Sequence, residues 1–177
     1  MTRPPFEAPT PAEVDTVTAQ LGRPARGVIG IAARCVCGNP TVVATQPRLD
    51  DGTPFPTLYY LTHPAATAAI STLEATGVMA ELSAELEADA DLAAAYTAAH
   101  ESYLADRESI LVVDEVAGFS AGGMPTRVKC LHALAGHSLA AGPGVNPIGD
   151  RALARATWSP ERCAPRPSPG PSCRPRC

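Results

Sequence analysis

A stretch of twenty-nine residues, 122–150, constrains the possible fold more than any other part of the sequence. It reads GGMPTRVKCLHALAGHSLAAGPGVNPIGD and combines a cysteine, two histidines and several strong backbone signals. The Gly-Gly pair at 122–123 interrupts the preceding segment, and Pro125 suits the first position of a helix. The Gly-Pro pair at 142–143 prevents a helix from continuing. These signals predict a central helix over about 126–141.

The remaining segments predict an α+β fold, in which a small, mainly antiparallel sheet packs against several helices on one side. Thr10 begins a capping box and therefore a first helix, which ends near Leu21. Hairpin-length connections between short apolar runs indicate antiparallel strands. The strands are predicted at 27–33, 41–45, 58–61 and 111–116. Further helices are predicted at 64–76, 78–88, 91–110 and 151–158.

A chain of 177 residues is long enough for one domain with a hydrophobic core. We place this single α+β domain at residues 10–158. The first nine residues are rich in proline and are expected to be flexible. Residues 159–177 are dominated by proline, arginine, serine and cysteine, a composition typical of a disordered tail.

Composition also excludes several classes of function. The formal net charge of −4 argues against nucleic-acid binding, which requires a basic surface. No segment is apolar for long enough to insert into a membrane. The N-terminal sequence MTRPPFEAP has no apolar region of the kind that secretion signals contain, so we expect a cytoplasmic protein. Cysteines in that compartment are more often thiols or metal ligands than disulfides.

The first functional hypothesis is a metal site, most plausibly for zinc, which prefers thiolate and imidazole ligands. Alternation along a strand places both side chains of a C-x-C turn on one face. The predicted ligands are Cys35, Cys37, Cys130, His132 and His137, with His100 and His63 as further histidine candidates. An iron–sulfur cluster is a variant of this hypothesis. The alternative is that the cysteines are packed or turn thiols and that hydrogen bonds satisfy the histidines.

Helical geometry limits which of these residues can share one ion. Cys130 and His137 lie on one face of the predicted helix but are separated by about 10.5 Å of helical rise. His132 points away from Cys130 within a regular helix. It can join Cys130 only if the helix begins at or after Cys130.

The second hypothesis is an enzyme that acts on a phosphorylated or carboxylated small molecule. Arg127 and Lys129 fall at the predicted helix N-terminus, where free N–H groups favour an anion. Arg34 and Arg107 are further candidates for binding this small anionic ligand. The catalytic candidates are Cys130, His132, His137, His100, Asp51 and Asp150. Solvated surface charge, and the frequency of aspartate in turns, are the alternative explanations for the charged residues.

The third hypothesis is a non-enzymatic adaptor linked to cell division. It depends on the acidic helical surface that is predicted at residues 81–91. The protein partners of such an adaptor are not indicated by the sequence.

Several of these motifs together resemble the bacterial family known as domain of unknown function 501. The similar segments lie at 34–40 (RCVCGNP), 51–57 (DGTPFPT), 100–107, 123–132 (GMPTRVKCLH), His137 and 146–150 (NPIGD). The resemblance covers about residues 20–158 and implies no established activity. Members of this family are often encoded beside a septum-formation initiator and an exopolyphosphatase. The resemblance therefore implies a setting in cell division, the cell envelope or phosphate metabolism.

Overall fold

A computed structural model describes residues 6–162, which form an α+β domain. Its strands are β1 (Val28–Arg34), β2 (Pro40–Thr45) and β3 (Tyr59–Leu61). Its α-helices are α1 (Pro11–Leu21), α2 (Pro64–Ala75), α3 (Val78–Ala88), α4 (Ala90–Glu108), α5 (Leu131–Ala141) and α6 (Pro147–Arg155). Short 3-10 turns occur at Asp114–Val116 and Pro160–Arg162. The predicted fold class is thus confirmed.

The sheet has the order β1-β2-β3, and both pairings are antiparallel. Every residue of the central strand β2 is buried. Alternation along β2 therefore sends side chains into two separate apolar layers. The main core contains Val42 and Ala44 together with residues of α2 to α6. Val43 lies on the opposite face of the sheet, in the second apolar layer.

The prediction that the helices lie on one side of the sheet was wrong for α1. Val17 of α1 packs with Ile31 and Val43 on the face opposite the main core. The helix begins where the sequence indicates, because Thr10 and Glu13 form the predicted capping box. An antiparallel sheet with two apolar faces needs a cover on each, and α1 supplies the second.

The central helix starts five residues later than predicted. The preceding segment folds back on itself, since Gly122 O accepts the Lys129 N–H at 2.7 Å and Gly123 O accepts the Arg127 N–H at 2.9 Å. Gly123 has a φ of +97°, and a Cβ there would collide with backbone atoms of this turn. Arg127 and Lys129 are therefore exposed turn residues, and the prediction that they occupy the first helical turns was wrong.

Two further boundaries differ from the predictions. The segment 111–116, predicted as a strand, is an irregular stretch that ends in a 3-10 turn, and Leu111 and Val112 in it are exposed. The last helix spans Pro147–Arg155 because the Asn146 side chain accepts the Gly149 N–H at 2.9 Å and caps it. The NPIGD sequence, which precedes the helix predicted at 151–158, is thus the start of this helix.

Residues near both ends of the described chain form backbone hydrogen bonds with the β1–β2 hairpin. Glu7 pairs with Ile31 through two backbone hydrogen bonds of 3.0 and 2.8 Å, so this part of the N-terminal segment is held to β1. At the other end, Pro160 O accepts the Val36 N–H at 2.9 Å. Residues 163–177, which include Cys163, Cys173 and Cys177 of the predicted disordered tail, lie outside the described residues. Across residues 6–162, none of the helices combines the length and apolar character needed to cross a membrane.

Arg107 of α4 joins the helices to the loops around them, although the sequence suggested it as an anion ligand. Its side chain is 2% exposed. Its guanidinium donates to Pro56 O at 3.2 Å, Phe119 O at 2.5 Å and Val116 O at 2.7 Å. Burial lowers the pKa of Arg107. Its donors are occupied by backbone carbonyls, and the arginine has a structural role here.

We expect Arg107→Met to lower the free energy of unfolding by about 3 kcal/mol or more, because three carbonyls would lose a charged donor. Urea denaturation followed by circular dichroism measures this change. Arg155→Met is the matched control, since Arg155 forms surface ion pairs with Glu81 and Glu85 and should change stability by less than about 1 kcal/mol. Equal losses in the two variants would contradict the structural role.

Candidate catalytic site

Cys130 lies at the N-terminus of α5, immediately before its first residue. It is the N-cap residue, with extended backbone dihedrals of φ −150° and ψ 105°. The condition set by the sequence, that the helix begin at or after Cys130, is met. Cys130 and His132 consequently lie together, and their ligand atoms and that of Glu74 are all within 4.8 Å of one another. The thiol also lies at the positive end of the helix dipole.

Glu74 reaches this site from the last turn of α2. Its Oε1 accepts the Leu131 N–H at 2.7 Å, which satisfies one of the free donors of α5. The same oxygen lies 3.2 Å from His132 Nδ1. A single carboxylate thus holds both the start of the helix and one nitrogen of the imidazole ring.

The other nitrogen of His132 faces α2 as well. Nε2 lies 3.2 Å from Ser71 Oγ and 3.2 Å from Thr67 O. Acceptors therefore flank both ring nitrogens, a carboxylate on one side and a carbonyl on the other. A doubly protonated imidazolium satisfies both of these acceptors with N–H donors.

The electrostatics agree with this geometry. Hydrogen bonding to Cys130 is the main cause that raises the pKa of His132 to about 9, with Glu74 adding to it and burial opposing it. The hydrogen bond with His132 is likewise the main cause that lowers the pKa of the Cys130 thiol, and the Ala133 N–H acts in the same direction. Burial and the Glu74 charge oppose that shift. The pair thus favours a thiolate next to an imidazolium, the form in which cysteine is a nucleophile.

The site opens onto a cleft of about 650 Å³ between β3, α2 and α5. Its size is in the range of small-molecule sites. The polar part of its lining includes Gln20, Thr57, Tyr60, Thr62, Thr67 and Ser71, together with Cys130 and His132. Among residues 6–162, no lysine or arginine lines this cleft.

The two other predicted cysteines lie elsewhere. Cys35 and Cys37 form a disulfide with each other, and their sulfurs group with His63. Within the described part of the chain, the possible ligand atoms therefore fall into two separate groups of three. Neither group contains both Cys130 and the C-x-C pair.

The remaining predicted histidines have other surroundings. His137 is fully buried, stacked on Tyr59 with 5.7 Å between ring centroids, and its Nδ1 lies 3.2 Å from Asn146 Nδ2. His100 is partly exposed on α4, and its Nδ1 lies 2.8 Å from Ser120 Oγ. The structure does not bring either residue into the group that contains Cys130.

The predicted charged residues are also held by local partners. Arg34 forms ion pairs with Glu7 at 3.0 Å and Glu13 at 2.5 Å. Asp51 pairs with Arg26 and accepts the Thr53 N–H at 3.0 Å within its turn.

Asp150 has a similar local role near the end of α5. It accepts hydrogen bonds from the Ser138 hydroxyl and from the Gly144 N–H. These contacts join α5, the following turn and α6.

Glu74 and Ser71 were missed by the sequence analysis. A signal for them exists, because Thr67, Ser71 and Glu74 follow steps of four and three residues and so share one face of α2. A polar stripe on an alanine-rich helix is easily read as the solvated face, and only tertiary structure places it against α5.

A family model described as a protein of unknown function, DUF501, matches residues 31–154. The chain belongs to the DUF501 family. The matched range includes the Glu74–Cys130–His132 group, the Cys35–Cys37 disulfide and most of the secondary structure. No curated protein and no solved structure matches the chain.

The state of the Cys130–His132 pair can be tested by alkylation. We expect Cys130 to react with iodoacetamide at pH values well below the ordinary thiol pKa, because the lowered pKa increases the thiolate fraction. His132→Gln should raise that pKa and slow alkylation at pH 7 by about tenfold for each unit of the shift. Mass spectrometry of the peptide that contains Cys130 measures the rate across pH.

His100→Gln is the matched control, since this histidine is partly exposed and hydrogen-bonded to Ser120 away from the thiol. Its profile should coincide with that of the unmodified chain. Identical profiles for all three proteins would show that His132 does not set the reactivity of Cys130.

Proposed function

We propose that this DUF501 protein is an enzyme in which the Cys130 thiolate attacks an electrophilic carbonyl carbon of a small molecule bound in the cleft. One observation carries the proposal: Cys130 and His132, whose ligand atoms group with that of Glu74, line a cleft of about 650 Å³. A nucleophile, a proton carrier and an orienting carboxylate are the components that cysteine catalysis requires.

Each residue has a distinct role in this scheme. The Cys130 sulfur forms a bond to the carbonyl carbon, and the leaving group departs with a proton supplied by the His132 imidazolium. Water then cleaves the thioester, with the neutral imidazole accepting its proton. Glu74 orients His132 through Nδ1 and stabilises the cationic ring. The buried body of α5 keeps these groups in place.

The cleft favours a particular class of substrate. Its walls provide hydroxyl groups, aromatic surface and the Gln20 amide, which suit a neutral acyl compound that carries hydroxyl or amide groups. A phosphorylated or carboxylated substrate, which the sequence suggested, would have to extend beyond this lining to reach Arg127 or Lys129. We therefore place the neutral acyl compound first.

A chromogenic ester tests this function. With p-nitrophenyl acetate in excess, we expect a burst of about one p-nitrophenolate per chain, because acylation of an activated cysteine precedes slower hydrolysis. Mass spectrometry should find the acetyl group on Cys130. His132→Gln should slow the burst by about 10²-fold or more, as expected for loss of acid–base catalysis.

Two variants complete the experiment. Cys130→Ala should abolish the burst, whereas His100→Gln should leave it unchanged. Acetylation that is distributed over several residues, or a burst that survives Cys130→Ala, would exclude this nucleophile. All proteins should also carry serine at Cys163, Cys173 and Cys177, so that thiols of the C-terminal segment do not react.

A second candidate function is a zinc centre held by Glu74, Cys130 and His132. The supporting observation is that three ligand atoms of the types zinc accepts lie within 4.8 Å of one another at an open cleft. Three protein ligands and one accessible position are typical of catalytic zinc. In that case a metal-bound water rather than Cys130 would be the reactive group.

Elemental analysis of the full chain, purified without a histidine tag or chelator, separates the two candidates. A zinc centre predicts about one zinc per chain, loss of that zinc in Glu74→Gln, and slow alkylation of Cys130 until a chelator is added. A nucleophilic cysteine predicts rapid alkylation that a chelator does not change. Zinc that persists in Glu74→Gln and in Cys130→Ser would place the metal elsewhere.

The adaptor hypothesis receives less support than these two. Part of the acidic surface on which it depends is neutralised, because Glu85 forms ion pairs with Arg151 and Arg155, and Glu81 pairs with Arg155. Cytoplasmic residence and a setting in cell division or phosphate metabolism stay predictions.

A further inference from the structure

A second sulfur centre lies at the turn between β1 and β2, where Cys35 and Cys37 form a disulfide. Backbone hydrogen bonds close this turn. Cys35 N donates to Asn39 O at 3.1 Å, and Gly38 N donates to Cys35 O at 2.8 Å. The disulfide is therefore presented at the tip of a hydrogen-bonded hairpin.

The two sulfurs differ in their access to solvent. Cys35 is 4% exposed and belongs to the main core. Cys37 is partly exposed, and Val36 between them is 61% exposed. An external thiol can thus approach the disulfide from the Cys37 side, while Cys35 remains sheltered by the core.

The inner side of the disulfide contacts a buried imidazole. A ring nitrogen of His63 lies within 4.8 Å of both sulfurs, and the His63 side chain is fully buried. Burial lowers the pKa of His63, so the ring is neutral near pH 7. Trp158 packs against the same ring, with 5.3 Å between the ring centroids. A buried thiol at Cys35 would therefore have a polar neighbour.

The Cys35–Cys37 disulfide can contribute little to the stability of the fold. The disulfide closes a loop with a single residue between the cysteines. Such a short loop removes much less entropy from the unfolded chain than the long loops that disulfides usually close. The hairpin is also already fixed by its backbone hydrogen bonds and by the pairing of β1 with β2.

We propose that Cys35 and Cys37 are a redox-active pair that exchanges electrons with an external dithiol, and that Cys37 is the sulfur attacked. This inference is independent of the Cys130 chemistry, since the two sulfur centres belong to separate groups. The partner class is a dithiol, either a small molecule or a protein with two neighbouring cysteines.

The exchange balances as follows. A thiolate of the dithiol attacks Cys37 Sγ, the Cys35–Cys37 bond breaks, and Cys35 leaves as a thiolate with the electron pair. The second thiol of the partner then attacks the mixed disulfide and releases Cys37. In sum, the partner is oxidised to a disulfide and loses two electrons and two protons. The Cys35–Cys37 pair gains the two electrons through the exchange of sulfur–sulfur bonds and takes up two protons from solvent.

The test uses the full chain and dithiothreitol as the dithiol. Native protein should gain two thiols, located at Cys35 and Cys37 by differential alkylation and mass spectrometry, and should regain the disulfide in oxidised dithiothreitol. Trp158 is the only tryptophan in the sequence. Its fluorescence should follow the same transition, because it packs on the histidine beside the sulfurs.

A matched pair of variants tests the direction of attack. The Cys37 thiol of Cys35→Ser should react with oxidised glutathione at least about tenfold faster than the Cys35 thiol of Cys37→Ser, because burial limits access to Cys35. Should either variant fail to fold, the thiol count of the unmodified sequence still decides the main proposal.

Three outcomes would overturn the redox proposal. The first is a disulfide that resists dithiothreitol until urea unfolds the chain, since this result indicates a structural bond. The second is a pair of thiols that does not reoxidise. The third is isolation of both cysteines as thiolates that react only after a chelator removes zinc, which would assign this turn and His63 to a metal site. Equal reaction rates in the two variants would overturn the assignment of Cys37.

Discussion

The hydrogen bond from Leu131 N–H to Glu74 is the interaction on which the candidate catalytic site depends. The first N–H groups of a helix have no partner within the helix, and a carboxylate from α2 satisfies this one at 2.7 Å. It thereby fixes α5 to begin at Leu131. Cys130 is left just outside the helix and His132 lies in its first turn. A helix that continued toward Thr126, as predicted, would turn these two side chains apart.

The burial of α5 keeps the candidate catalytic site in a fixed position. Gly136 allows the helix to lie close to β3, since a Cβ there would be 3.1 Å from Tyr59 O. His137 is packed between Tyr59 and Tyr103, with centroid distances of 5.7 and 5.1 Å. A functional group placed on such a rigid element keeps its geometry better than one on a loop. His137, which the sequence predicted as a metal ligand, thus helps to pack α5 against the core.

The sequence predicted those features that local chemistry determines. The capping box at Thr10 and the hairpin-length connections that predict an antiparallel sheet are short-range features, and both predictions are confirmed. The start of α5 was missed because Pro125 is a helix signal, whereas the actual structure is a turn closed by hydrogen bonds back to Gly122 and Gly123. Glu74 was missed for a different reason. It lies 57 residues from its partner Leu131, and a local sequence pattern does not predict a contact between residues so far apart in the chain.

The two sulfur centres differ in the charge that surrounds them, and this difference argues for separate chemistry. Cys130 has a cationic imidazole and the positive end of a helix beside it, which stabilise a thiolate. The C-x-C pair has a neutral, buried His63 instead, which does little to stabilise an anion and is compatible with a disulfide or a protonated thiol. A single zinc site that used Cys35, Cys37 and Cys130 would require the two sulfur centres to lie next to each other. The fold instead presents Cys130 from a helix N-terminus and the pair from a hairpin tip, so any metal and any nucleophile must be assigned to each centre separately.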